Sequence, residues 1–370
     1  MRTGLALVAA LVTAVSANGQ TTETKEIKEV GGRTFEQWMK DIGHKDPSRR
    51  EVAIQTILAF GPEKAYEATP ALLAELRKHL LNPIDTSVRV NIAIALGAIL
   101  GAKNNADPKL VKPADPKLVK DAVTLLSRLL SDREQGIVRY RAAQALASIG
   151  QESRTAIDSL LLMLRDQYNF EVRQAGAITL GKVAMDPKTG PSIPAIVRLQ
   201  ALLGDPAYKV RQAACQALAM LGPPPDPKDG QQKSATLNAL APVAKKDPEP
   251  VVQIWAHTAI MFYTNKFTDE NVTPIVEYLR NGDIVARIEA AQALSASAPM
   301  AKSSIPGLIG ALGDTDPGVG MVAIVALGRM EAMQAIPALD KIAADMKNPL
   351  REPAKNAADF LRKKKLGASK

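Results

Sequence analysis

Small and aliphatic residues recur along this chain at helical spacing, and the whole pattern repeats about every 33 residues. A basic residue near the start of each copy serves as an anchor. Nine anchors align: Arg50, Arg89, Arg139, Arg173, Arg211, Gln253, Arg287, Gly320 and Arg351, with Gln253 and Gly320 departing from the basic type. Three positions on, the residue is small in every copy except at Ile92; six positions on, it is always Ala or Thr. Seven positions on, it is Ile or Leu in every copy except at Ala358. Spacings of three, six and seven share one face of an α-helix. Small residues there let neighbouring helices approach, and Leu or Ile fills the space between layers.

A second helix is predicted before each anchored one. Its start is marked by proline at Pro70, Pro194, Pro274, Pro306 and Pro337, since proline's missing N–H costs nothing at the first helical position. The turn inside each hairpin commonly carries Asp, as at Asp46, Asp85, Asp205, Asp247, Asp283 and Asp316. Asp there can accept backbone N–H groups and cap the next helix. Longer spacings contain insertions, delimited as loops at 101–120, 185–192 and 223–234. The first holds a duplication in which Ala106–Pro113 is followed by a near copy, Ala114–Lys120.

The motif Val-Arg-x-x-Ala-x-x-Ala-Leu-Gly, nearly whole at Val88–Gly97 and Val172–Gly181, resembles the HEAT-repeat family, particularly its short bacterial type related to phycobilisome-lyase repeats. The resemblance covers residues 34–363. It implies an all-α fold of the α-α superhelix class, a right-handed solenoid of about nine helical hairpins. It also implies that turn aspartates and second-helix arginines bond between adjacent repeats. That gives ladder roles to Asp46, Asp85, Asp283, Arg50, Arg89, Arg173, Arg211 and Arg287, and predicts a broken ladder at Gln253 and Gly320.

The first residues read differently. Met1-Arg2 precedes an uncharged apolar stretch, Leu5–Val15, and Val15-Ser16-Ala17 supplies small residues for cleavage after Ala17. This pattern predicts a secretory signal peptide over 1–17, then a polar linker over 18–33, the array over 34–363 and a basic tail over 364–370. The expected location is periplasmic or secreted, with no membrane-spanning segment after cleavage.

Charge and chemistry narrow the function. The net charge is +9, but residues 351–370 hold seven basic residues against two acidic ones. The basicity therefore belongs mainly to one end, and no specific nucleic acid is expected as partner. The single cysteine, Cys215, lies in an apolar helical run and allows no intramolecular disulfide. His44, His79 and His257 form no ligand-spaced pair. The His-Glu pairs of HEAT-repeat diiron hydroxylases are absent, as are phosphate-loop and nucleophile-elbow motifs. No catalytic residue, metal or cofactor is expected.

The resemblance places the second helices on a concave face. Positions one and five after the anchor then make an amide-rich strip: Gln55, Tyr140, Gln144, Gln174, Gln212, Gln216, Gln292 and Asn356, with Thr258 in repeat six and Arg139, Arg141, Arg173 and Arg211 beside it. Amides both donate and accept hydrogen bonds, which suits peptide backbones or glycans. Trp255, Phe262, Tyr263, Phe267 and Tyr278 form a second candidate, either an interface anchor or an enlarged core. The expected function is a monomeric scaffold for a protein or peptide partner. A polyanion-binding module using the basic end, and a repeat-type lyase, stand as alternatives.

Overall fold

The computed structural model describes residues 27–80, 85–104, 113–131, 135–224 and 230–367. The expected signal segment and residues 106–112 of the duplicated stretch lie outside them. The fold is all-α, a tandem series of helical hairpins of the α-α superhelix class. It divides into two compact units, residues 1–188 and 189–370.

The N-terminal unit opens on a two-stranded antiparallel ribbon, β1 (Glu29–Val30) and β2 (Arg33–Thr34). Trp38 donates from Nε1 to the Val30 carbonyl (3.0 Å), and the Arg33 guanidinium lies 4.0 Å from the Trp38 ring centroid. The linker expected to run to residue 33 therefore ends earlier, because this ribbon packs on the first helix. Four hairpins follow. They are α1 (Phe35–Asp41) with α2 (Pro47–Ile57); α3 (Pro62–Tyr66) and α4 (Thr69–His79) with α5 (Thr86–Asn104); α6 (Pro116–Leu129) with α7 (Gly136–Ile149); and α8 (Ile157–Met163) with α9 (Phe170–Val183). The second helices stack as α2, α5, α7, α9, and the first helices as α4, α6, α8.

The C-terminal unit has five hairpins among its described residues. They are α10 (Ile193–Ala201) with α11 (Tyr208–Leu221); α12 (Gly230–Lys246) with α13 (Pro250–Thr264); α14 (Asp269–Asn281) with α15 (Ile284–Ala296); α16 (Ile305–Ala311) with α17 (Pro317–Arg329); and α18 (Ile336–Ala344) with α19 (Arg351–Gly367). Its second helices also stack in order, α11 to α19.

The repeated small residues do what their spacing requires. Ala145, Ala217, Ala259, Ala293 and Ala326 are buried, and so are Leu96, Leu146, Leu180, Leu218, Leu294 and Leu327. At Gly97 a Cβ would sit 2.7 Å from the Ala145 Cα, so α5 and α7 touch nearly backbone to backbone. Thr179 exploits the same closeness, donating to Ala143 O across the layer (3.0 Å) and to Ala175 O in its own helix (2.7 Å). Helix α5 is the one described helix long and apolar enough to cross a membrane, but its apolar window is mostly buried in this stack.

Other boundaries move as well. The 223–234 loop is shorter than expected, because α12 starts at Gly230. Pro274 does not open its helix: α14 starts five residues earlier, with Asp269 and Glu270 in the first turn, where acidic groups suit the helix N-terminus. The 101–120 loop is shorter than expected, because α5 continues to Asn104 and α6 starts at Pro116, capped by the Asp115 carboxylate on Lys117 N (2.8 Å). The basic tail expected from residue 364 is part of α19, which runs to Gly367.

Candidate functional site

Two sets of side chains stand out along the second helices: arginines turned into the hairpin turns, and an exposed stripe of amides, Tyr and Arg.

The arginines form a ladder whose acceptors differ from those expected. In the C-terminal unit the Arg211 guanidinium grips Asp247 of the next turn through Nε (2.7 Å) and Nη2 (2.9 Å), while Nη1 donates to Asp205 O of its own turn (2.9 Å). Arg287 repeats the arrangement with Asp314 (2.8 and 3.0 Å) and Gly282 O (2.9 Å). In the N-terminal unit Arg139 pairs with Asp166, and Arg50 reaches Asp85 (3.5 Å) and the carbonyl of His44 (2.7 Å). Arg173 donates to Asp166 O in its own turn (2.9 Å), and Arg89 approaches Thr86 Oγ1 (3.5 Å). Arg50, Arg89 and Arg173 are buried. Forked, bidentate geometry is the stronger form of such a pair.

Asp46 and Asp283 are not ladder acceptors. Each caps its helix instead, Asp46 accepting from Ser48 N (3.0 Å) and Asp283 from Ala286 N (2.8 Å). At Asp166, Asp247 and Asp314 the guanidinium goes to the earlier of two polar turn positions. Asp166, Asp247 and Asp314 also accept N–H bonds from the turn backbone, at Asn169, Glu249 and Asp316. The signal was an Asp six or seven positions before the anchor. Burial pushes the Asp314 carboxyl up, but the hydrogen bond from Arg287 and the Asp316 N–H outweigh it, and the group stays below the ordinary carboxylate range. Burial pushes the Asp166 carboxyl up too, but the N–H groups of Asn169 and Tyr168 and the Arg139 guanidinium together hold it below the ordinary range.

His79, which has no ligand-spaced histidine partner in the sequence, sits between Glu75 (2.8 Å) and Asp85, with Lys78 on Glu75 (2.8 Å) and Arg50 alongside. Burial pushes the Glu75 carboxyl up, but hydrogen bonds from Lys78 and His79 bring it below its usual range. This charged knot joins the first two repeats.

At the two non-arginine anchors the ladder changes form. Gln253 is not a simple break. Its amide donates to Asp247 O (2.6 Å) as an arginine would, and its carbonyl accepts from the Tyr278 hydroxyl of the next repeat (2.7 Å). At Gly320 the space is taken by Leu350: a Cβ on the glycine would lie 2.6 Å from Leu350 Cδ1.

The exposed stripe is clearest on α7. Gln144 donates to the Tyr140 hydroxyl (2.9 Å) and accepts from Arg141 Nη1 (2.8 Å), and the Arg141 guanidinium lies 5.3 Å from the Tyr140 ring centroid. Gln144 is exposed and the other two half-exposed, so three adaptable polar groups are held in one geometry at the surface. Gln174 is half-buried on α9. On α2, exposed Gln55 donates to Asn91 (3.1 Å), which in turn donates to Glu51 (3.2 Å). In the C-terminal unit Gln212 and Gln216 are half-buried, whereas Gln292 and Asn356 are exposed.

Other expected contact residues are not available. Arg139, Arg173 and Arg211 are spent in the ladder. Thr258 is buried and donates to Ile254 O (2.9 Å). Trp255 is 8% exposed, and its indole N–H is taken by Glu289 of α15, the second helix of the next repeat (2.7 Å). Tyr263 is fully buried, and burial pushes its hydroxyl up to about 12. Phe262 and Phe267 meet edge to face at 5.4 Å. Trp255 and Tyr263 thus belong to the core, Phe262 and Phe267 pack on each other, and Tyr278 stays half-buried on Gln253.

Cys215 is fully buried and its thiol is pushed up by burial, which makes it a packing residue. Burial also pulls the His257 imidazole below its ordinary range. Among the described residues no group of three or more His, Cys, Asp or Glu side chains could hold a metal ion.

Models of HEAT repeats match residues 110–181, 196–223 and 272–358. The chain is a HEAT-repeat protein. No curated protein matches it. Among solved structures, this HEAT-repeat chain is similar to an engineered protein (21% identity, 89% of this chain and 98% of that one, TM-score 0.36). It is also similar to the CpcE–CpcF complex of phycocyanin lyase from Nostoc sp. PCC7120 (17%, 94% and 99%, TM-score 0.44). A third is the karyopherin Kap121p bound to the extreme C-terminus of the protein phosphatase Cdc14p (16%, TM-score 0.44), where 96% of this chain spans 39% of the other. HEAT-repeat folds commonly mediate protein interactions.

Proposed function

We propose that this HEAT-repeat protein is an exported, non-enzymatic scaffold that binds a protein partner through the exposed stripe of its second helices. One observation carries the reading. Tyr140, Arg141 and Gln144 are mutually hydrogen-bonded yet accessible, so a partner meets donors, acceptors and a π-face whose ordering cost has already been met within α7. Tyr and Arg are the side chains most enriched at binding hot spots. The polyanion reading is weakened by the ion pairs of α19: Arg362 engages Asp340 (2.6 Å), and Lys364 engages Glu331 (2.7 Å). Those charges are partly neutralised on the protein itself.

The test is capture by residues 18–370 from envelope and secreted fractions, at low and high salt. The expected result is a stoichiometric protein that survives high salt and is lost from a Tyr140→Ala/Arg141→Ala variant of unchanged melting temperature. Capture of polyanions alone, released at high salt, would overturn the reading in favour of the basic helix end. Secretion of a fusion carrying residues 1–17, and its failure when those residues are removed, tests export.

A further inference from the structure

The step between α13 and the turn before α15 differs from the ladder steps around it. At Arg211 and at Arg287 a guanidinium enters the gap between one second helix and the next turn, and meets a carboxylate there. Here both partners are replaced. Gln253 stands at the arginine position, and Asn281, six residues before Arg287, stands where Asp247 and Asp314 stand in their own turns. Gln253 is too short to fill the gap and stops at Tyr278.

What remains is an open recess of about 340 Å³ between Pro250 at the start of α13 and the end of α14. Tyr278, Pro250 and Ala286 supply its apolar and aromatic walls, and Glu277 and Asp283 supply its charge. Glu277 pairs with no buried cation, and Asp283 acts on Arg287 only at longer range, because that guanidinium is forked onto Asp314 and Gly282 O. Glu277 has only an exposed contact with Arg280 at 3.7 Å and the Asn281 amide (3.0 Å), and Asp283 accepts from its own helix backbone. Ile284 and Val285, 50% and 60% exposed, continue the surface beside Asp283.

We infer that this recess receives an arginine or lysine side chain of a protein partner, with an aliphatic neighbour of that residue resting on Ile284 and Val285. The chain itself provides the precedent: the equivalent gap holds a guanidinium at the steps on either side. The recess supplies two carboxylates for the cation and an aromatic face over which it can lie. The surface lies on the hairpin-turn edge and not on the α7 stripe, so it goes beyond the scaffold reading and stands or falls separately.

The probes are acetyl-Leu-Arg-Leu-amide and its citrulline counterpart, which keeps the shape and loses the charge. They are titrated into the full chain with amide shifts as the readout. The arginine peptide is expected to move the Gly282 and Ala286 amides saturably, and the citrulline peptide is not. Glu277→Gln/Asp283→Asn is expected to weaken binding by about five-fold or more, while Asn at 283 keeps the helix cap. Gln253→Arg/Asn281→Asp restores the internal pair and is expected to abolish binding by filling the recess. Equal binding of citrulline, shifts confined elsewhere, no saturable shift, or unaltered affinity in the filled variant would each overturn the inference.

Discussion

Two steps of the C-terminal unit solve the same packing problem with opposite chemistry. Between α11 and the next turn, Arg211 and Asp247 are partly buried yet satisfied. The guanidinium has a carboxylate and two turn carbonyls, and the carboxylate has a backbone N–H besides. Between α17 and α19 the anchor is Gly320, and the apolar Leu350 fills the space that a side chain would need. Asp345 still accepts from Lys347 N in the last turn, but it faces solvent. The difference shows that a step can be closed without a charge, by an apolar side chain in place of an ion pair. Ion pairs supply direction, since a forked guanidinium fits in one orientation. Leucine supplies contact area without that restriction.

The largest expected effect breaks the apolar step. Gly320→Arg forces a side chain into Leu350 and should cost about 3 kcal/mol in urea unfolding, even though it restores the residue type usual at the anchor. An unchanged midpoint would show that the step is soft and the glycine incidental. Arg211→Ala removes a forked pair and leaves Asp247 partly buried, so a loss of about 2 kcal/mol is expected in the same experiment. Gln253→Ala removes the amide bridge to Tyr278 and the Asp247 carbonyl and should cost about 1 kcal/mol. A value near zero would mean that the step is held by helix packing alone.

Acid titration sharpens the comparison further. Asp314 is held below its ordinary range in the fold, so its contribution is fully present above the unfolded carboxylate value near 4 and is lost as pH falls through the lowered folded value. Asp166 and Glu75 act in the same direction. Asp314→Asn should therefore flatten the acid limb of a melting-temperature profile below about pH 4 while lowering the neutral plateau. An acid limb identical to that of the parent would mean that Asp314 is not coupled to folding.

Much of this was legible because helix packing leaves a local trace. Small residues at spacings of three and six, with Leu or Ile at seven, follow from the 3.6-residue turn and from the close approach that α5 and α7 also make at Gly97. The ladder was only half legible. The arginines announce themselves by register, but whether Asp46 and Asp283 cap a helix or accept a guanidinium depends on where the preceding repeat lands. Asp166 and Asp314 take that role because they stand in the turns that Arg139 and Arg287 reach. The knot around His79 was invisible for the same reason: Glu75 lies on its own helix, but Arg50 and Asp85 come from elsewhere.

The sequence by itself determined the helical hairpins, their number and the buried small-residue seam, because each is set by spacing within one helix. Only the tertiary structure decided which polar residues remain available. It buried Trp255 against Glu289, spent three of the four candidate arginines in the turns, left Tyr140, Arg141 and Gln144 at the surface, and opened a recess beside Tyr278. Exposure and pairing are properties of neighbours that are about 25 to 36 residues away in sequence and within 3 Å in space, and no local pattern encodes that proximity.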